Sequence, residues 1–161
     1  MRPSLGPGRL PQDPVGLDVR SVVARIQASD SGLEERTALA NAFHVSIVDD
    51  DAAVREALAR LLRAHGYLAR TFESGAELLA SDQRAHTDCL IVDMQMPGMT
   101  GLELHARLLA NGERTPTILI TGHPVDGLPA DAQRAGVLCF LTKPCDETRL
   151  LEYIGRAVER R

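Results

Sequence analysis

The sequence predicts an α/β fold, a doubly wound sandwich built on a five-stranded parallel sheet, and two observations carry that expectation. From residue 44 onward, apolar runs of strand length alternate five times with segments whose apolar residues fall at helical spacing. Strict β-then-α alternation returns the chain through a helix each time, which makes the strands parallel, the connections right-handed and both sheet faces covered. The second observation is how the runs end. Four of the five stop at polar residues: Asp49, Asp93, Thr121 and the pair Thr142-Lys143. In a parallel sheet these ends share the carboxyl edge, where loops diverge around a crevice and ligands bind.

Residues 1–43 stand apart from this pattern. Pro3, Pro7, Pro11 and Pro14, with Gly6, Gly8 and Gly16, resist both helix and sheet, so the extension is expected to be disordered. Within it, Val19, Val22, Val23 and Ile26 fall at helical spacing between Asp18 and Ala28, and Ser29-Asp30-Ser31-Gly32 ends the pattern, as in a short amphipathic helix. A weaker helical stretch, Leu33 to Ala42, either docks its apolar face on the main domain or a second copy, or serves as a frayed linker. Five Arg against five Asp plus Glu leave the extension neutral, with no charge-based partner.

The main domain, residues 44–161, opens with the strand His44–Val48 and then meets three adjacent carboxylates, Asp49-Asp50-Asp51. Val54, Leu58, Leu61 and Leu62 form the apolar stripe of a helix that ends at His65-Gly66, where glycine takes the left-handed cap. Tyr67–Phe72 reads as the second strand, and Ser74-Gly75-Ala76-Glu77 as a capping box opening a helix through Ala80. The third strand, Cys89–Asp93, places four apolar residues, two of them β-branched, before its acid, the composition of a strand buried on both faces. Pro97-Gly98 then forbids further strand or an immediate helix. Thr100-Gly101-Leu102-Glu103 repeats the capping box, and Leu104, Leu108 and Leu109 carry that helix to Asn111-Gly112. Thr117–Ile120 makes the fourth strand, stopped by Thr121-Gly122-His123-Pro124. The next helix, about 130–135, is short, its start weakened by Gly127 and Pro129. Leu138–Leu141 is the fifth strand, and a last helix opening near Asp146 carries Leu150, Leu151, Ile154 and Val158 on its apolar face.

Composition removes several classes of function. A net charge of −4 and a pI near 5.7 offer no general attraction to nucleic acid or anionic membrane. No apolar run approaches the roughly 20 residues that cross a bilayer, and the N-terminus lacks a signal-peptide pattern, so a cytoplasmic location is expected. Cys89, Cys139 and Cys145 are odd in number and lack Cys-x-x-Cys spacing, which reads as reduced thiols rather than a disulfide framework or a zinc site.

Each polar strand end has a bland explanation when taken alone. Asp93 can cap its own turn, Asp49–Asp51 can be a solvated cluster at the positive end of a helix, and Thr121 can close a turn. Together at one edge they imply more. Close carboxylates repel by roughly 4 kcal/mol per pair at an effective dielectric near 20, so Asp49, Asp50 and Asp93 call for a cation. Hard oxygen donors favour Mg²⁺, which keeps waters and leaves places for phosphate oxygens. The Thr121 hydroxyl and the Lys143 ammonium can bind the remaining oxygens of a phosphoryl group while Asp93 attacks it in line. Lys143 is the only lysine against 17 arginines, so its place after the fifth strand is not one of many interchangeable surface positives.

Over about residues 44–158 these residues resemble a known family, the receiver domain of two-component response regulators, most closely the FixJ type. The resemblance rests on Val48-Asp49-Asp50, on Asp93-Met94-Gln95-Met96-Pro97-Gly98-Met99-Thr100-Gly101, on Thr121-Gly122 and on Lys143-Pro144, in order and with typical separations. It implies a flavodoxin-like (βα)5 sandwich of strand order 2-1-3-4-5. It also implies that Asp93 is the phosphoacceptor, Asp50 a direct Mg²⁺ ligand, Asp49 an acidic partner reaching the metal mainly through water, and Gln95 the donor of a backbone carbonyl. Thr121 and Lys143 would contact phosphoryl oxygens, and Phe140 would be the switch aromatic that follows the Thr121 hydroxyl. The implied partners are a histidine kinase or phosphotransfer protein and a downstream protein, without direct DNA or membrane binding; a homodimer is left open. Phosphorylation and dephosphorylation would be self-catalysed, in the service of signalling rather than turnover. Two departures stand out: Cys145 follows Lys143-Pro144 where an aromatic or apolar residue is usual, and His123-Pro124 makes the loop after Thr121 atypical. With no helix-turn-helix pattern after the last helix, the chain resembles a stand-alone receiver. A receiver-like module that signals without phosphorylation is the alternative, against which the intact Asp93, Thr121 and Lys143 argue. A flavin-binding relative of the fold is disfavoured because Asp49–Asp51 would repel the cofactor's phosphate.

Overall fold

The computed structural model of the protein describes residues 42–123 and 130–159. The elements follow in strict alternation: β1 (His44–Val48), α1 (Ala52–Ala64), β2 (Leu68–Phe72), α2 (Gly75–Ala80), β3 (Cys89–Asp93), α3 (Gly101–Ala110), β4 (Thr117–Thr121), α4 (Ala130–Arg134), β5 (Cys139–Thr142) and α5 (Glu147–Glu159). All four strand pairings are parallel, and the sheet order is β2-β1-β3-β4-β5. The fold and strand order expected of the sequence are therefore the ones observed. What was expected of residues 1–41, and of the segment 124–129, lies outside the described residues.

The central strands are buried on both faces, as their apolar runs require. Every residue of β3 and β4 is buried, and two separate cores flank the sheet. One gathers Leu58 and Leu62 of α1 with Leu150 and Ile154 of α5 over Ile47, Ile91 and Ile120. The other gathers Leu78, Leu104 and Leu108 over Val48, Val92 and Leu119. Successive residues along each strand thus serve opposite faces, the period of two that a pleated strand imposes.

Helix starts are set by local side chains. Asp51 caps α1 by accepting from Ala53 N at 2.8 Å, and Ser74 caps α2 through Glu77 N at 3.1 Å. Thr100 and Glu103 complete the reciprocal capping box on α3. Three departures from expectation are small. Tyr67 lies in the connection after α1 rather than in β2, its N–H donating back to Leu62 O at 3.0 Å. β5 starts at Cys139, one residue late, and a 3₁₀ turn, Asp82–His86, capped by Ser81, fills a connection that showed no helical period. Among the described residues no helix is long and apolar enough to cross a membrane.

Candidate functional site at the carboxyl edge

The geometry of the edge follows from the strand register. Val48 lies beside Val92, and Asp93 beside Ile120, so Asp49 and Asp93 emerge next to each other from neighbouring central strands. Asp49 is wholly buried and Asp93 is 4% exposed, while Asp50 is exposed. Carboxylate oxygens of Asp49, Asp50 and Asp93 lie within 4.8 Å of one another. Lys143 arrives from the end of β5 and donates to Asp49 Oδ2 at 2.7 Å, with its Nζ 3.2 Å from Asp93 Oδ1. Lys143 N in turn donates to Thr121 O at 2.6 Å, which ties the β4 and β5 ends together. Thr121 is 1% exposed, and its hydroxyl oxygen accepts from His123 N at 3.2 Å.

Electrostatics match the crowding. Burial lifts the Asp93 carboxyl above its ordinary pKa and nearby Asp49 lifts it further, while Lys143 and the Gln95 N–H pull it down without cancelling the rise. Burial works against the Lys143 ammonium, yet the hydrogen bond and charge of Asp49, joined by Asp93, hold its pKa above the ordinary value. Lys143 thus stands between two carboxylates and offsets part of their charge.

The sequence-predicted set is brought together with one qualification, at Gln95. Asp49, Asp50, Asp93, Thr121 and Lys143 all meet at the edge, and Asp51, outside that set, caps α1. Gln95 is exposed on the loop after β3, and the contact it makes with Asp93 is through its backbone N–H. Phe140 stands half-buried on β5, paired in register with Leu119 and packed against the second core. Two residues were not anticipated. Arg55, on the first turns of α1, donates to Asp49 O at 2.6 Å and so fixes the backbone that carries the acid pair; its only sequence signal is a cation following the acids on a helix. Gly101 has no room for a side chain, since a Cβ there would stand 2.6 Å from Asp93 O, so it lets the start of α3 press against the end of β3.

An acid cluster, one lysine and a buried hydroxyl at the end of a parallel sheet define a class of site, and comparison with known proteins gives the family. Residues 45–155 match the response regulator receiver domain, and the chain belongs to that family. The response regulator protein TodT of Pseudomonas putida is 39% identical over 115 residues, 71% of this chain and 51% of TodT. The transcriptional regulatory protein FixJ of Rhizobium meliloti is 35% identical over 117 residues, 73% of this chain and 57% of FixJ. Among solved structures, FixJ-N superposes with a TM-score of 0.66 at 34% identity, covering 74% of this chain and 95% of that one. The receiver is thus of the FixJ type, and the chain spans about half the length of TodT and FixJ.

Proposed function

We propose that this receiver takes a phosphoryl group on Asp93 from a phosphohistidine of a histidine kinase or phosphotransfer protein, and passes the change of state to a protein partner. The observation that carries the proposal is the juxtaposition of Asp93 with Asp49, Asp50 and Lys143 at one strand edge. An oxygen of the Asp93 carboxylate attacks phosphorus, the phosphorus–nitrogen bond breaks, and the released imidazole takes up a proton. The donor set of three carboxylates suits a divalent ion with hard oxygen preference. Asp49, Asp50 and Asp93 would hold Mg²⁺, with the Gln95 carbonyl as a further ligand; the ion supplies charge neutralisation for the phosphoryl oxygens. Lys143 holds a phosphoryl oxygen opposite the acids, and the Thr121 hydroxyl donates to another. Once Thr121 is drawn toward the phosphoryl group, the space it leaves lets Phe140 turn inward, altering the surface of α4, β5 and α5.

Incubation of the full chain with phosphoramidate tests this. A mass gain of one phosphoryl group is expected with Mg²⁺ present, and none in excess chelator or in Asp93→Asn. Equal labelling of Asp93→Asn, or labelling indifferent to chelator, contradicts the proposal, and no labelling of the parent chain favours a module that signals without phosphorylation.

A further inference from the structure

Arg55 is a positioning residue for the acid cluster, and we infer that it sets the affinity of the site for a divalent cation by aiming Asp50. The inference rests on the proposed Mg²⁺ site and deepens it. Asp49 is held at four points. Its N–H donates to Phe72 O at 3.2 Å, its Oδ1 accepts from Asp51 N at 2.9 Å, its Oδ2 accepts from Lys143 Nζ at 2.7 Å, and its carbonyl accepts from Arg55 Nη1 at 2.6 Å. Asp50 enters none of these bonds and is exposed, whereas Asp49 is wholly buried. The direction of the Asp50 carboxylate therefore comes from the backbone that carries it. That backbone is the planar peptide joining Asp49 to Asp50, and a plane fixed at its carbonyl oxygen is fixed at its N–H and next Cα as well. Arg55 thus acts on Asp50 through one rigid unit.

The helix itself does not need this bond. Asp51 starts α1 by capping Ala53 N at 2.8 Å, and the Arg55 N–H joins the helix through Asp51 O at 3.1 Å, so neither bond involves the guanidinium. The same helix carries a matched case in Arg63, whose Nη2 donates to Ala69 O at 3.2 Å. Ala69 pairs with Val45, four strand residues or about 13 Å short of Asp49. Two arginines of one helix therefore bind backbone carbonyls alike, one at the acids and one away from them. Charge and position make opposite demands on the first. A guanidinium fixed at the backbone of the acid pair competes with a divalent ion, so on charge alone its removal tightens metal binding. If it aims Asp50, its removal loosens binding by about 10- to 100-fold, the range typical of groups that orient metal ligands.

The sign is read by titrating Mg²⁺ into the full chain in a calorimeter, with no phosphodonor present. Arg55→Met keeps most of the stem but loses donor and charge, and should raise the Kd by about tenfold or more. Arg55→Gln, whose amide falls short of the carbonyl, should show the same loss with a polar side chain in place. Arg55→Lys retains a donor and the charge, and because the native bond is single it should recover most of the affinity. Arg63→Met should leave the Kd unchanged. In Asp50→Asn the ligand that Arg55 aims is gone, so adding Arg55→Met should weaken binding no further. An unchanged or lower Kd in Arg55→Met and Arg55→Gln would overturn the inference, and so would an equal loss in Arg63→Met or in the Asp50→Asn background. A parent chain that binds no Mg²⁺ would remove the metal site and the inference with it, whereas a parent that binds, equalled by Arg55→Met, removes the inference alone.

Discussion

The Asp93 carboxyl sits in a place that resists its ionisation, and this conflict can be measured. Its folded pKa is raised, chiefly by burial and then by Asp49, so the stability tied to its protonated form is complete below the ordinary carboxylate range and is lost as pH rises through the folded value. Asp93→Asn removes the charge at nearly constant shape, and Lys143 keeps its closer partner Asp49 at 2.7 Å. Without divalent metal at pH 7, the Asn variant should therefore melt about 2–5 °C above the parent, the scale of a change near 1 kcal/mol, and the gap should close toward pH 4. A lower Tm for Asn at pH 7 would contradict the sign. Asp50 and Lys143 should separate in titration calorimetry with Mg²⁺. Asp50→Asn should weaken binding at least tenfold, whereas Lys143→Ala, which removes a competing cation, should bind no more weakly but lose the conformational response to phosphorylation. Most of this site was legible because a parallel sheet turns strand ends into neighbours. Arg55 was not, since its bond is to the carbonyl of Asp49 and backbone acceptors leave no mark in sequence. The same holds for His105, buried between Thr117 Oγ1 and Ala135 O at 2.9 Å each on a helix whose stripe reads only as leucines.

The junction between β3 and α3 is where local structure and site meet. Thr100 and Glu103 satisfy the first amides of α3, and Gly101 N donates to Met94 O at 3.1 Å while the missing side chain admits the carbonyl of Asp93. Thr100→Ala removes the cap and should cost about 1 kcal/mol in denaturant unfolding with little effect on the site. Gly101→Ala forces its Cβ against backbone, which should cost about 1–3 kcal/mol and also slow labelling of Asp93, because the strand end must shift. Full labelling at the parental rate in Gly101→Ala would show that the close approach is irrelevant to the site. Helices with caps and stripes were read from sequence to within a residue or two. Tyr67 was misplaced because an aromatic residue beside a strand favours strand until its N–H is seen to close α1, and the Asp82–His86 turn was missed because a single 3₁₀ turn is too short to show a period.

At the scale of the whole molecule, two cores flank the sheet, and in the proposed function the carboxyl edge and the α4, β5 and α5 surface carry the response. Thr121 ends β4 and Phe140 stands half-buried on β5, and under the proposed function movement of the first gives the second a place to turn. Such a switch shifts an equilibrium only by its differential contacts, typically 1–3 kcal/mol, so partner affinity should change by roughly 5- to 150-fold on phosphorylation, with altered amide exchange over β5 and α5. Unchanged exchange there in fully phosphorylated protein would remove the coupling. The proposed function depends on where the phosphoryl group goes. Reductive cleavage converts an acyl phosphate on aspartate to homoserine, and peptide mass mapping then locates it. After labelling in Mg²⁺, homoserine is expected at position 93 within the peptide containing Cys89–Asp93, and at neither position 49 nor 50. Homoserine at position 49 or 50, or its absence from position 93 in protein that has gained the phosphoryl mass, would contradict the account.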